Sequence, residues 1–181
     1  LIQGEKRDQA LTPAVPSESE APCLKLTWGE RRHRFAELKL RNNRKIAPVE
    51  QASAGLTVYV PEKTRVGRIG VRFTDAKGET FQFYPAGEGL KRGAWNTLSY
   101  RISETDANSS WGGNADRKVD GALRFSGVAV NFPAGSGAGE LFIGKLQLHE
   151  RQGELLVCGE PFLNFDRSEN FALRGNPAEA S

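Results

Sequence analysis

Between residues 55 and 150, apolar and polar side chains alternate in short runs with almost no helical spacing. Successive side chains of a strand point to opposite faces, so alternation of period two predicts half-buried strands. Eight are predicted, over 23–28, 35–41, 55–60, 67–74, 79–84, 95–102, 123–132 and 140–149. Turn residues separate them, which is the pattern of an all-β protein, a two-sheet antiparallel β-sandwich. Asp75-Ala76-Lys77-Gly78 predicts a tight turn, with Asp75 opening it and Gly78 in the left-handed position. One connection, 103–122, is long, and long loops are either functional or packed on themselves.

Alternation divides each strand into an inner and an outer set. Leu56, Val58, Val60, Ile69, Val71, Phe73, Phe81, Phe83, Leu98, Tyr100, Ile102, Phe125, Val128, Val130 and Phe132 form the predicted core. Gly127 breaks the phase of its strand and predicts a bulge. The outer set contains Tyr59, Arg72, Gln82, Tyr84 and Asn131. It combines aromatic rings with planar hydrogen-bonding groups, which suits sugars: their C–H faces lie on rings and their hydroxyls pair with forked donors and acceptors. Trp111 in Ser110-Trp-Gly-Gly has two readings, an exposed sugar platform or a cap folded back on the sandwich. Trp95 reads as packing, and Trp28 is open to either role.

The flanks differ in composition. Residues 1–22 carry Pro13, Pro16 and Pro22 and predict an extended lead-in with at most one short edge strand. Residues 23–150 are the sandwich domain, and 151–181 form a tail that supplies a closing strand near 162–166 or opens a following module. The absence of Met and the start at Leu1 predict a piece of a longer or processed polypeptide.

Charge narrows the function classes. There are 25 basic and 22 acidic residues, a net +3 that is evenly spread, so nucleic acid is not indicated. The one basic cluster, Arg31-Arg32-His33-Arg34, reads as a solvated turn. No apolar run approaches the roughly 18 residues needed to span a membrane as a helix. Cys23 and Cys158 leave two options, a disulfide that implies an oxidising compartment or two thiols. No catalytic arrangement emerges. Paired carboxylates for glycoside hydrolysis are not brought together by spacing. His33 and His149 make no Cys–His or Ser–His–Asp pattern, nor a zinc spacing. The chain is expected not to be an enzyme.

Several pieces resemble one family when taken in order. They are Gly55-Leu-Thr-Val-Tyr-Val, Arg72-Phe-Thr-Asp-Ala-Lys-Gly-Glu-Thr-Phe-Gln, Trp95, Ser110-Trp-Gly-Gly-Asn-Ala-Asp and Gly139-Glu-Leu-Phe-Ile-Gly-Lys-Leu. Over 23–150 the series resembles carbohydrate-binding modules of the galactose-binding-like, jelly-roll type. The resemblance implies a part of a larger polysaccharide-active protein that binds polysaccharide or oligosaccharide without cutting it. It also implies a secreted, cell-surface or periplasmic location and neighbouring domains as partners. Family members often place paired acidic residues near the end, where one helps hold a structural calcium; here Gly144 and Lys145 stand in those places. Lysine offers no oxygen ligand to a hard cation, so no cofactor is expected from that site. Asp106, Asp116 and Asp120 of the long loop are the remaining cation candidates, or ordinary turn-forming residues. Jelly-roll polysaccharide lyases are set aside, because Arg34-Phe-Ala-Glu37-Leu-Lys has the wrong spacing and their other motifs are missing. The alternative function is a structural or interaction sandwich with no glycan ligand.

Overall fold

The computed structural model describes residues 9–14, 23–30, 33–40, 52–87, 89–152, 155–158, 163–164 and 171–177. The strands are β1 (Gln9–Ala14), β2 (Cys23–Trp28), β3 (His33–Leu40), β4 (Ala52–Val60), β5 (Ile69–Thr74), β6 (Glu79–Phe83) and β7 (Ala94–Ile102). A 3-10 turn (Glu104–Asp106) follows. Then come β8 (Ser109–Gly112), β9 (Arg124–Asn131), β10 (Gly139–Gln152), β11 (Leu155–Cys158), β12 (Leu163–Asn164) and β13 (Phe171–Pro177). No described helix is long and apolar enough to cross a membrane.

Two antiparallel sheets result. The first runs β1-β2-β10-β4-β7, with β11 and β12 also paired to β10; the second runs β13-β3-β9-β5-β6-β8. Without the edge strands β1, β13 and β8, the orders β2-β10-β4-β7 and β3-β9-β5-β6 are those of a jelly roll. These eight are the strands that alternation predicts. The 79–84 hairpin and its turn form as expected, with Gly78 at φ 87° and Asp75 Oδ1 accepting the N–H groups of Lys77 and Glu79.

The inner faces meet in one apolar core that includes every predicted core residue. Phe73 lies at its centre, edge-on to Phe83 and Phe125 with ring centroids 5.9 and 5.5 Å apart. Edge-to-face rings add to the burial energy because the positive rim of one meets the negative face of the other. Buried Tyr100 on β7 donates its hydroxyl to the Ile69 carbonyl on β5, 3.1 Å away, tying the sheets together. The predicted bulge is present. The β5–β9 register jumps from Arg72↔Gly127 to Phe73↔Phe125, leaving Ser126 as the extra residue.

One expectation is corrected and two open readings are narrowed. The stretch 103–122 is not one loop, since it folds as the 3-10 turn and then as β8 on the edge of the second sheet. Trp28 is buried against Phe132, with its indole N–H donating to the Gly137 carbonyl. The disulfide option does not fit the register. Leu24 pairs with Ile143, so Cys23 begins its strand near Gly144, whereas Cys158 pairs with His149 five residues further along β10. Five residues of strand span about 17 Å, and a disulfide needs Cα atoms within about 7 Å. The short lead-in strand is β1, at the edge of the first sheet. Arg31, Arg32, most of 1–22 and most of the tail beyond 158 lie outside the described residues.

Candidate functional site

The second sheet turns Arg72, Gln82, Tyr84 and Asn131 to the same outer surface, because the register sets their strands side by side. Arg72 pairs with Gln82 across β5–β6, and Asn131 ends β9, the strand on the other side of β5. Trp111 on β8 is opposite Thr80 and therefore shares this face. Five of the six predicted contact residues thus converge.

The sixth, Tyr59, is elsewhere. It lies on β4 in the first sheet, on the opposite outer surface of the sandwich. There it belongs to a row that crosses four strands, Lys25–Phe142–Tyr59–Trp95. Its ring centroid is 5.7 Å from Trp95 and 5.9 Å from Phe142. Lys25 sits over Phe142 and pairs with Glu140 at 2.6 Å. Tyr59 cannot act on one ligand patch together with Tyr84.

On the second sheet the polar groups form a continuous chain. Glu37 Oε1 lies 2.8 Å from Arg72 Nη1, and Arg72 Nε donates to Gln82 Oε1 at 2.8 Å. Gln82 Nε2 donates to the Tyr84 hydroxyl oxygen at 2.6 Å, and Asn131 Nδ2 donates to the same oxygen at 2.7 Å. Tyr84 accepts both, so its own proton remains to be donated. Gln82 is only 7% exposed, and the Arg72 and Glu37 side chains 11% and 15%. Alternation singled out Arg72 and Gln82, but it missed Glu37, which faces the same way on β3.

The chain lies over a floor of small residues. Ala129 of β9 pairs with Glu37 on one side and Gly70 on the other, and it is fully buried. Gly70 leaves room for the Tyr84 ring, which a Cβ there would crowd at 3.1 Å. Aromatic groups enclose the Arg72 guanidinium, with Phe35 at 5.7 Å and Trp111 at 4.9 Å. Arg68 lies 3.9 Å above the Tyr84 ring. A guanidinium over a ring face is attracted by the ring's quadrupole. The Tyr84 ring is therefore covered, while Trp111, at 43% exposure, is the large apolar side chain that the described surface leaves open. Of its two sequence readings, the cap is corrected: Trp111 packs on the outside of the sheet, beside Arg72.

The acidic residues around 103–122 hold loop structure. Asp75 Oδ2 accepts the Asp120 N–H, Asp116 Oδ1 accepts the Lys118 N–H, and Ser103 donates to Asp106. Asn114 donates to both Asp116 and Asp120. The Lys77 ammonium, 3.1 Å away, and the Asn114 amide hold Asp120 below the usual carboxylate range. Among the described residues no three His, Cys, Asp or Glu side chains stand together to hold a metal. Lys145, at the position where the family resemblance implies a calcium ligand, is exposed, and its N–H donates to Thr57 Oγ1. These residues do not fit calcium.

No protein-family model matches the chain, and no curated protein matches it. The fold stands as a two-sheet antiparallel β-sandwich.

Proposed function

We propose that this chain is a non-catalytic carbohydrate-binding domain, part of a larger polysaccharide-active protein outside the cytoplasm. The observation that carries the reading is the outer face of the second sheet. Arg72, Gln82, Tyr84 and Asn131 are locked into one hydrogen-bonded layer beside the open ring of Trp111. A rigid layer loses little conformational entropy when a ligand binds. Trp111 offers a stacking surface, and Ser109, Thr80, Arg68 and the Tyr84 hydroxyl offer groups to sugar hydroxyls. Binding needs no cofactor. Tyr59 leaves the proposed contact set.

The test is affinity electrophoresis against a polysaccharide panel. Retardation by at least one glycan is expected. Trp111→Ala should weaken it about tenfold, the scale of one lost stacking contact, and Tyr59→Ala should leave it unchanged. Retention that survives Trp111→Ala and Tyr84→Phe together would remove this face from consideration.

A second reading is favoured by the first sheet. Its cross-strand aromatic row suits a structural role in which that surface docks on a neighbouring domain of the longer chain. Under it, no glycan in the panel retards the chain, and Trp95→Ala weakens association with the adjoining domain.

A further inference from the structure

We propose that a second, separate sugar site lies at the edge of the sandwich, in the cleft between the 3-10 turn and β8, and that it takes a single neutral pyranose. The cleft holds about 310 Å³, at the small end of ligand sites. Ala107 gives it an apolar edge in front of the buried Phe81, and Asn108, Ser109 and Ser110 line it with polar groups. Glu104 and Arg117 complete the lining.

The backbone around Arg117 is the first argument. Gly112, Gly113, Ala115 and Arg117 all take positive φ, at 79°, 52°, 54° and 62°. Glycine is needed at 113, where a Cβ would collide with the backbone of Glu79. Ala115 and Arg117 gain no such relief and are strained. Arg117 is held there by Glu79, which is fully buried and whose two carboxylate oxygens accept the Arg117 N–H at 3.2 and 3.3 Å. A strained residue fixed by a buried carboxylate, with its own side chain on a cleft, is how positioned ligand contacts are built.

The second argument is the unpaired chemistry. Glu104 Oε2 accepts the Val119 N–H at 2.9 Å, which fixes the carboxylate and leaves Oε1. Asn108 Oδ1 accepts the Tyr84 N–H at 2.7 Å, so its Nδ2 donors remain. Among the described residues the Ser109 and Ser110 hydroxyls and the Arg117 guanidinium have no hydrogen-bond or ion-pair partner. Glu104 and Arg117 line one cleft yet are not paired with each other. An acceptor, a forked donor, two hydroxyls and an amide of zero net charge match a ring carrying several hydroxyls. They match an anion less well, because Glu104 would repel it.

The site is separate from the sheet face, to which Asn108 and Ser109 connect it, and can be tested apart from it. Amide ¹H–¹⁵N spectra of the full chain would be titrated with methyl glycosides of glucose, galactose, mannose and xylose, and with methyl glucuronide. Saturable shifts confined to Asn108, Ser109, Ser110 and Arg117 are expected with at least one neutral glycoside. Trp111→Ala should leave that affinity unchanged. Arg117→Gly should weaken it about tenfold without lowering the melting temperature, since glycine relieves the left-handed strain while keeping the N–H. Glu104→Gln should weaken it less. The proposal is overturned if no neutral glycoside saturates the cleft, if Arg117→Gly binds as well as the native chain, or if methyl glucuronide binds more tightly than every neutral glycoside. Saturation of the cleft without polysaccharide retention supports this site and removes only the sheet-face reading. Polysaccharide retention with a silent cleft does the reverse.

Discussion

The two outer surfaces of this sandwich are built on different principles. The first sheet carries a row of rings across three strands, Phe142, Tyr59 and Trp95, with Lys25 on a fourth, held by contact between neighbours. The second carries a polar layer in which Glu37, Arg72, Gln82, Tyr84 and Asn131 fix one another's geometry. Ring contacts have several favourable geometries, so an aromatic row tolerates adjustment. Hydrogen bonds weaken steeply when misaligned, so a polar layer over a glycine and alanine floor holds one arrangement. The comparison teaches that a polar outer face can be as specified as a core, provided its members satisfy each other.

The largest expected effect breaks the layer at its hub. Arg72→Ala leaves Glu37 and Gln82 mostly buried without their partner and should cost about 3 kcal/mol in urea denaturation. A loss below about 1 kcal/mol would mean the pair behaves as an ordinary surface ion pair. Tyr84→Phe removes one acceptor from two amide donors, with an expected loss of about 1.5 kcal/mol by the same measurement.

Alkaline pH acts on the first sheet instead. Burial pushes the Cys23 thiol up to about 11 and raises the Tyr100 phenol well above its ordinary range. Both acids stay protonated longer in the folded chain than in the unfolded one, so the native state holds more protons as the pH rises. The Cys23 contribution is complete below its unfolded pKa, near 9, and is lost as the pH climbs toward 11, whereas that of Tyr100 is lost only at higher pH. For Cys23 the loss should be on the order of 1 kcal/mol. Cys23→Ala should flatten the start of this decline in denaturation midpoints followed between those limits. The smallest effect is expected from Trp111→Ala, under about 0.5 kcal/mol in stability, because its ring is largely open. A large loss there would make Trp111 a structural member of the layer.

How much was legible follows from what each signal encodes. Alternation separates inside from outside along one strand, and it identified Ile69, Val71 and Phe73 against Arg72 without ambiguity. It carries no label for the sheet. Tyr59 and Tyr84 both read as outward, and only pairing places them on opposite surfaces. Glu37 was read only within a rejected lyase motif, because its partner Arg72 is distant in the chain and two strands away in space. The cleft was equally hidden. Glu79 supports Arg117 across 38 residues of chain, and nothing in Asn114-Ala115-Asp116-Arg117 announces a left-handed backbone.

By itself the sequence determined the eight-stranded sandwich, its core, the hairpin at Asp75–Gly78 and the bulge at Gly127. These rest on period-two burial and on backbone preferences that each residue carries wherever it sits. Tertiary structure decided which outward residues meet, which ring is open, where Cys23 stands relative to Cys158, and how Arg117 is held over a cleft. Those depend on strand order and register, which are set by the packing of the whole core and not by any single segment.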